Sequence, residues 1–307
     1  MRSLSLIGMS KNSGKTTVLN ALLKFYSRQG LVMGLTSIGR DGEDKDVLTQ
    51  TDKPEIYVNE GTIIATSLFG LCDITREILK TTGINTPLGE VIIMRAKSDG
   101  YVQLSGPSIN VQLVQMIQAL YGFGAQTVIV DGAFSRKTLA SPAVTDHTIL
   151  CTGAALSPDM SRVIEETVHV HELLKSEKIS DELKKLTEGH PLALVKFGQT
   201  YKSFEQAALT DLLVNDLVRQ GEKDAIIVAE DASKFLINME THRKLLLRNI
   251  KLMVRYNTNL TAVTINPVSP FGYEFDAGEF RKVLTGTIGT PVINVMEEED
   301  ALYDLLV

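Results

Sequence analysis

Leu4-Ser5-Leu6-Ile7-Gly8-Met9-Ser10-Lys11-Asn12-Ser13-Gly14-Lys15-Thr16-Thr17 is the stretch whose reading decides the fold. An apolar run is followed by a glycine-bearing turn and then by residues with helical patterning, the order that a phosphate-binding loop requires. Such a turn aims backbone N–H groups into one concavity at the positive end of the helix dipole, where a polyphosphate is held. On this reading Gly8, Lys11, Asn12, Ser13, Gly14, Lys15, Thr16 and Thr17 surround the ligand, Lys15 reaches the terminal phosphates and the Thr16 hydroxyl holds Mg²⁺. The bland alternative is a chance Gly-Lys-Thr triplet in a tight turn. The spacing G-x-x-x-x-G-K-[ST] is not strictly met, because Met9 stands where the first glycine belongs and Gly8 lies one residue earlier.

Outward from the loop, Val18, Leu19, Leu22, Leu23 and Tyr26 recur at helical spacing up to Gly30, which predicts a helix from about Gly14 to Gln29. Apolar runs at Leu31 to Ile38, Glu55 to Val58, Ile63 to Thr66, Val91 to Arg95, Thr127 to Val130 and Thr148 to Cys151 read as strands. Helix-like segments at Asp73 to Lys80 and Asn110 to Tyr121 separate some of them. The alternation predicts an α/β fold with a mostly parallel, doubly wound sheet flanked by helices. Crowded runs near Lys53 to Thr66 suggest a small antiparallel insertion. From Pro158 to about Leu186 the pattern is helical. Strand-like runs then recur at Leu192 to Phe197, Ala225 to Ala229, Lys251 to Val254, Thr261 to Ile265 and Pro291 to Val295, with helical stretches at Ser203 to Arg219 and Asp276 to Leu284. A boundary near Glu177 makes 1–177 a nucleotide-binding domain. Residues 178–307 are then either a second α/β domain or a continuation of the same sheet.

The chain has 307 residues, 44% of them hydrophobic, enough to fill the cores of one large or two ordinary domains. A formal charge of −6 and a pI near 5.5 argue against nucleic acid or an anionic membrane as partner. Only Cys72 and Cys151 occur, far apart and without metal-ligand spacing, as expected of reduced thiols in the cytosol. No basic leader and no bilayer-length apolar run is visible, so a cytoplasmic protein is expected.

Val128-Ile129-Val130-Asp131-Gly132-Ala133 is an apolar strand ending in an acid, suited to placing Asp131 on Mg²⁺ directly or through water. Asp41, in the polar turn after the second strand, is the other acid placed for Mg²⁺ or water; its alternative is a plain Asp-Gly turn residue. Glu43 and Asp44 are weaker candidates. Lys11 is a second cation near the phosphates, a lysine reaching across a homodimer interface, or a solvated lysine. Arg40 and Arg136 each follow a strand and suit charge neutralisation or simple surface exposure. Ser105-Gly106-Pro107-Ser108 reads as a helix N-cap or a second anion-binding turn. His169 and His171 sit at i, i+2 on different faces of a helical segment, which does not suit a metal. Asn266-Pro267-Val268-Ser269-Pro270 ends a strand, either lining a pocket or making a rigid turn. With no Asn-Lys-x-Asp element to read guanine, ATP is preferred over GTP.

The longer loop, Gly8 with five residues before Gly14-Lys15-Thr16, resembles that of dethiobiotin synthetases, as Val130-Asp131-Gly132-Ala133 resembles that family's Val-Glu-Gly-Ala element. Lys11-Asn12-Ser13-Gly14-Lys15-Thr16-Thr17 resembles the molybdopterin-guanine dinucleotide biosynthesis adaptor family. Both are P-loop NTPase families with mostly parallel sheets. The strings Gly8 to Asn20 and Gly34 to Glu43 are similar to a narrower group, the small subunit of the ATPase that reactivates adenosylcobalamin-dependent lysine and ornithine aminomutases. That resemblance implies a Mg²⁺-dependent ATPase, acting with a larger ATPase subunit to release damaged cobalamin from a mutase. Two other readings stand beside it: an ATP-dependent synthetase or ligase of dethiobiotin-synthetase type, although the Thr-Asp-Thr wording of that family's loop is missing, and a nucleotide-binding adaptor without turnover.

Overall fold

The structure, a computed structural model, describes residues 2–38, 56–68, 72–132, 141–196, 201–298 and 301–305. The chain groups into two units. One comprises Met1–Leu139, Ala143–Ile164 and Leu260–Val307; the other comprises Ala140–Pro142 and Glu165–Asn259.

In the first unit the apolar run of the loop motif is strand β1 (Arg2–Gly8), followed by helix α1 (Lys15–Arg28) and strand β2 (Met33–Ser37). Then come β3 (Ile56–Val58), β4 (Ile63–Ser67), β5 (Arg76–Thr86), β6 (Gly89–Ala96), β7 (Gly100–Val102), α2 (Asn110–Gly122), β8 (Thr127–Asp131), β9 (His147–Gly153) and α3 (Met160–Leu174), whose later part belongs to the second unit. The second unit continues with β10 (Glu177–Lys178), α4 (Asp181–Leu186), β11 (Leu192–Lys196), β12 (Tyr201–Phe204), β13 (Leu209–Thr210), α5 (Asp211–Arg219), β14 (Ala225–Ala229), β15 (Phe235–Leu236), α6 (Met239–Leu246) and β16 (Ile250–Val254). The chain then returns to the first unit as β17 (Leu260–Asn266), α7 (Ala277–Thr287), β18 (Val292–Ile293) and α8 (Ala301–Asp304). Pattern alone left open whether 178–307 is a domain or a continuation; the stretch from Leu260 adds strands to the large sheet.

That sheet has nine strands in the order β18-β17-β9-β1-β8-β2-β4-β6-β5. All neighbours from β18 to β4 are parallel, and β6 and β5 add an antiparallel edge. The fold is thus α/β, with a large, mostly parallel sheet flanked by helices. β1 lies inside it, and a strand covered on both faces buries successive side chains, here Ser3 to Ile7. Leu4 and Leu6 do so among apolar neighbours, while Ser3 and Ser5 do so through hydrogen bonds. The Ser3 N–H and hydroxyl both donate to Asp146 Oδ2 at 2.8 Å, and the Ser5 hydroxyl lies 3.0 Å from that of Thr148. Val18, Leu19, Leu22, Leu23 and Tyr26 of α1 are the residues that bury against the sheet. Complete burial of Leu19 or Leu22 contributes about 2 kcal/mol each.

Three segments depart from the expected pattern. Asp73 to Lys80 is not helical: Arg76–Thr86 is the edge strand β5, paired antiparallel with β6 through two register irregularities. Its residues are mostly exposed on both faces, so burial imposes neither a period of 2 nor one of 3.6. Antiparallel pairing extends well beyond the expected insertion, since β3 pairs with β7 while β4, β6 and β5 form the sheet edge. Ser203 to Arg219 contains a helix only from Asp211, where the Thr210 hydroxyl accepts from Leu213 N and fixes the start.

The second unit has a five-stranded sheet in the order β10-β16-β14-β11-β12. β14 and β16 are parallel, and β11 runs antiparallel to β14 and β12. Ile179, Val195, Ile226 and Val228 form a core on it, with Leu183 and Met253 packed alongside.

Candidate functional site

In the large sheet the carboxyl ends of five parallel strands line one edge. Gly8 of β1 is in register with Cys151 of β9, Asp131 of β8 with both Leu6 of β1 and Ser37 of β2, and Asn266 of β17 with Gly153. In open α/β sheets that edge is where ligands sit.

Between β1 and α1 the chain makes a tight loop. Met9 N–H donates to the Cys151 carbonyl at 2.9 Å, tying the loop to β9. Asn12 (φ 58°) and Gly14 (φ 93°) adopt the left-handed conformation; for asparagine this is tolerated and for glycine it is free. α1 starts at Lys15 without a side-chain cap and without an acid in its first turn. Its first N–H groups and positive dipole end thus take no partner from a capping side chain.

Lys15 does not extend into solvent. A Cβ on Gly8 would lie 2.7 Å from Lys15 Nζ and 2.5 Å from Ser13 Oγ, so the ammonium is folded back over the loop onto the end of β1, where only glycine leaves room. Ser13 is almost fully buried, and its hydroxyl, like that of Ser10, has no hydrogen-bond partner among the described residues. Thr16 and Thr17 are half-buried in the first turn of α1, whereas Lys11 and Asn12 are exposed.

Asp131, half-buried, is the last residue of β8. Cys151 reports on the charges around it: burial pushes its thiol up to about 11, a Thr264 hydrogen bond and the Lys15 charge pull it down, and the Asp131 charge pushes it up. Lys15 and Asp131 thus act electrostatically on the same buried group.

Asn266, expected at a strand end either to line a pocket or to begin a rigid turn, ends β17 and packs against the loop. Its Nδ2 donates to the Asn12 carbonyl at 3.3 Å, and its Cβ lies 3.1 Å from where a Gly14 Cβ would be. Its Oδ1 accepts from Val268 N at 3.2 Å, closing the turn. The cavity behind the loop, lined by Ser13, Thr17, Thr264 and Asn266 among others, measures about 10 Å³, room for no more than one water. A residue 254 positions away therefore braces the loop.

Other expected positions separate clearly. Asp41, Arg40, Glu43, Asp44 and Arg136 lie outside the described residues. Ser108 does not cap α2, which starts after Ile109 with no side-chain cap. Ser105 N donates to Thr66 Oγ1 at 2.8 Å and Gly106 N to Ser37 Oγ at 3.0 Å, so these two amides are spent within the protein rather than offered to an anion. His169 places Nε2 3.1 Å from the Ile237 carbonyl, and its ring lies 5.3 Å from that of His242. Among the described residues no group of three or more His, Cys, Asp or Glu is placed to hold a metal, and no helix is long and apolar enough to cross a membrane.

The chain matches no protein-family profile, no curated protein and no solved structure.

Proposed function

We propose that this chain binds the polyphosphate of a nucleoside triphosphate, ATP in preference to GTP, as a P-loop protein, and hydrolyses it with Mg²⁺ to act on a partner protein. The observation that carries the reading is Lys15: its ammonium returns over an uncapped helix start to the glycine that ends β1. In a structural turn a lysine gains nothing by folding onto its own loop, whereas a phosphate cradle requires a cation there.

The donor set fits Mg²⁺, a hard cation that takes oxygen ligands. The Thr16 hydroxyl, in the first turn of α1, and the Asp131 carboxylate, at the end of β8 beside β1, would supply such oxygens, with Asp41 as a further acid in the reading. Mg²⁺ when bound neutralises charge on the phosphates. The chain's own contribution is to hold the phosphate tail on loop amides and on Lys15, and to orient water through an acid. The partner belonging to this reading, by the resemblance of Gly8 to Asn20, is a cobalamin-dependent aminomutase together with a larger ATPase subunit.

Asp131→Asn tests the catalytic half of the reading. ATP binding is expected to persist within about threefold, while Mg²⁺-dependent phosphate release falls by about a hundredfold or more. Equal turnover in both proteins removes Asp131 from the mechanism.

A further inference from the structure

The second unit carries a hollow of about 570 Å³ whose lining includes Lys223, Asp224, Lys244, Leu247, Arg248 and Asn249. It lies where the carboxyl ends of α5 and α6 meet the amino ends of β14 and β16. Its volume falls within the roughly 300–1,000 Å³ typical of ligand sites.

Three cations, Lys223, Lys244 and Arg248, line it together with one carboxylate, Asp224. Asp224 Oδ1 accepts from Asn249 Nδ2 at 3.0 Å, and Lys244 is held by Glu240 at 2.9 Å and Asn215 at 3.4 Å. Lys223 and Arg248 are matched by no carboxylate among the described residues. Cations near helix carboxyl ends balance the dipole, but that role calls for neither a hollow nor exposed leucines beside it. Leu247, in the lining, is 87% exposed, and the adjacent Leu246 is 56% exposed. The chain as a whole carries −6, whereas the lining of this hollow holds three cations and one acid.

We propose that this hollow docks an acidic segment of a partner protein, one that sets an apolar side chain on Leu247 between carboxylates paired with Lys223 and Arg248. A small anion would satisfy the cations and leave the leucines in water; a peptide of this composition covers both, with charge complementarity guiding its approach. The proposal rests on the reading that the chain acts on a partner and gives the second unit its part in that action.

The test uses the full chain, without nucleotide, and two labelled polymers followed by fluorescence anisotropy: a random glutamate–tyrosine copolymer and polyglutamate. The copolymer is expected to bind more tightly than polyglutamate. Lys223→Glu with Arg248→Glu is expected to weaken both by about tenfold or more, and the milder pair Lys223→Ala with Arg248→Gln to weaken both by less, guarding against a folding defect. Leu247→Ser should lower affinity for the copolymer alone. Absence of binding to either polymer, unchanged affinity in the charge-reversed protein, or displacement by millimolar inorganic phosphate overturns the proposal, the last making the hollow a small-anion site. The Lys15→Ala protein should bind the copolymer like wild type. Intact copolymer binding in a wild-type protein that does not bind ATP would instead sink the nucleotide reading and leave the docking surface standing.

Discussion

Lys15 and Asn266 meet one loop from two sides, the first with its ammonium over Gly8, on the side proposed for phosphate, and the second with a hydrogen bond and packing from behind. If Asn266 acts on the loop's shape, its removal must weaken any ligand that uses the loop, with or without a base. Asn266→Ala is therefore expected to lower affinity for inorganic tripolyphosphate and for ATP by the same factor, about five- to tenfold. Titration calorimetry with both ligands checks this; loss confined to ATP would assign Asn266 to the base instead. Cys151 gives a second handle. An unfolded thiol ionises near pH ~8.5, whereas burial holds the native one up to about 11. A raised native pKa contributes stability that is complete below the unfolded value and is lost as pH rises toward the native one. Urea midpoints should thus fall between pH 8.5 and 11, and Cys151→Ala should make that fall shallower. The turn between β1 and α1 was legible because an apolar run, a glycine-bearing turn and helical spacing follow one another along the sequence. Asn266 was not, since no local signal ties position 266 to position 12.

The helices divide by how they begin. α4, α5, α6 and α7 start on Ser180, Thr210, Asn238 and Asp276, whose side chains each accept a hydrogen bond from an N–H in the first turn. α1 and α2 start on Gly14 and Ile109 with no such bond. For α1 the missing cap coincides with the loop that Lys15 covers, as an anion-binding helix start requires. Asp276→Ala removes an ordinary cap, and it should cost about 1 kcal/mol in urea unfolding while leaving ATP affinity unchanged. A change in ATP affinity would mean that α7 does more than support the sheet. Core strands and α1 were readable because burial on a sheet stamps a period on the sequence. β5 was misread as helix because Arg76 to Thr86, exposed on both faces, has its conformation set by pairing with β6 rather than by burial. The start of α5 was set too early, because the cap at Thr210 decides it and the apolar spacing before it does not.

At the scale of the molecule, the large sheet is assembled from the two ends of the chain, with β17 and β18 added after the second unit has been traversed. The pattern of apolar runs predicted two α/β portions and left open whether the second continues the first sheet; this return depends on strand register and not on periodicity. The consequence for function is that the loop near residue 12 has its brace near residue 266, so that the candidate site is a property of the whole first unit. Lys15 as the cation for a polyphosphate is the central claim, and isothermal titration of Mg²⁺·ATP into wild type and Lys15→Ala measures that most directly. It predicts binding by the wild type and an affinity about a hundredfold lower in the variant, with the same unfolding midpoint for both proteins without nucleotide; equal affinity in the two proteins, or none in either, would contradict it.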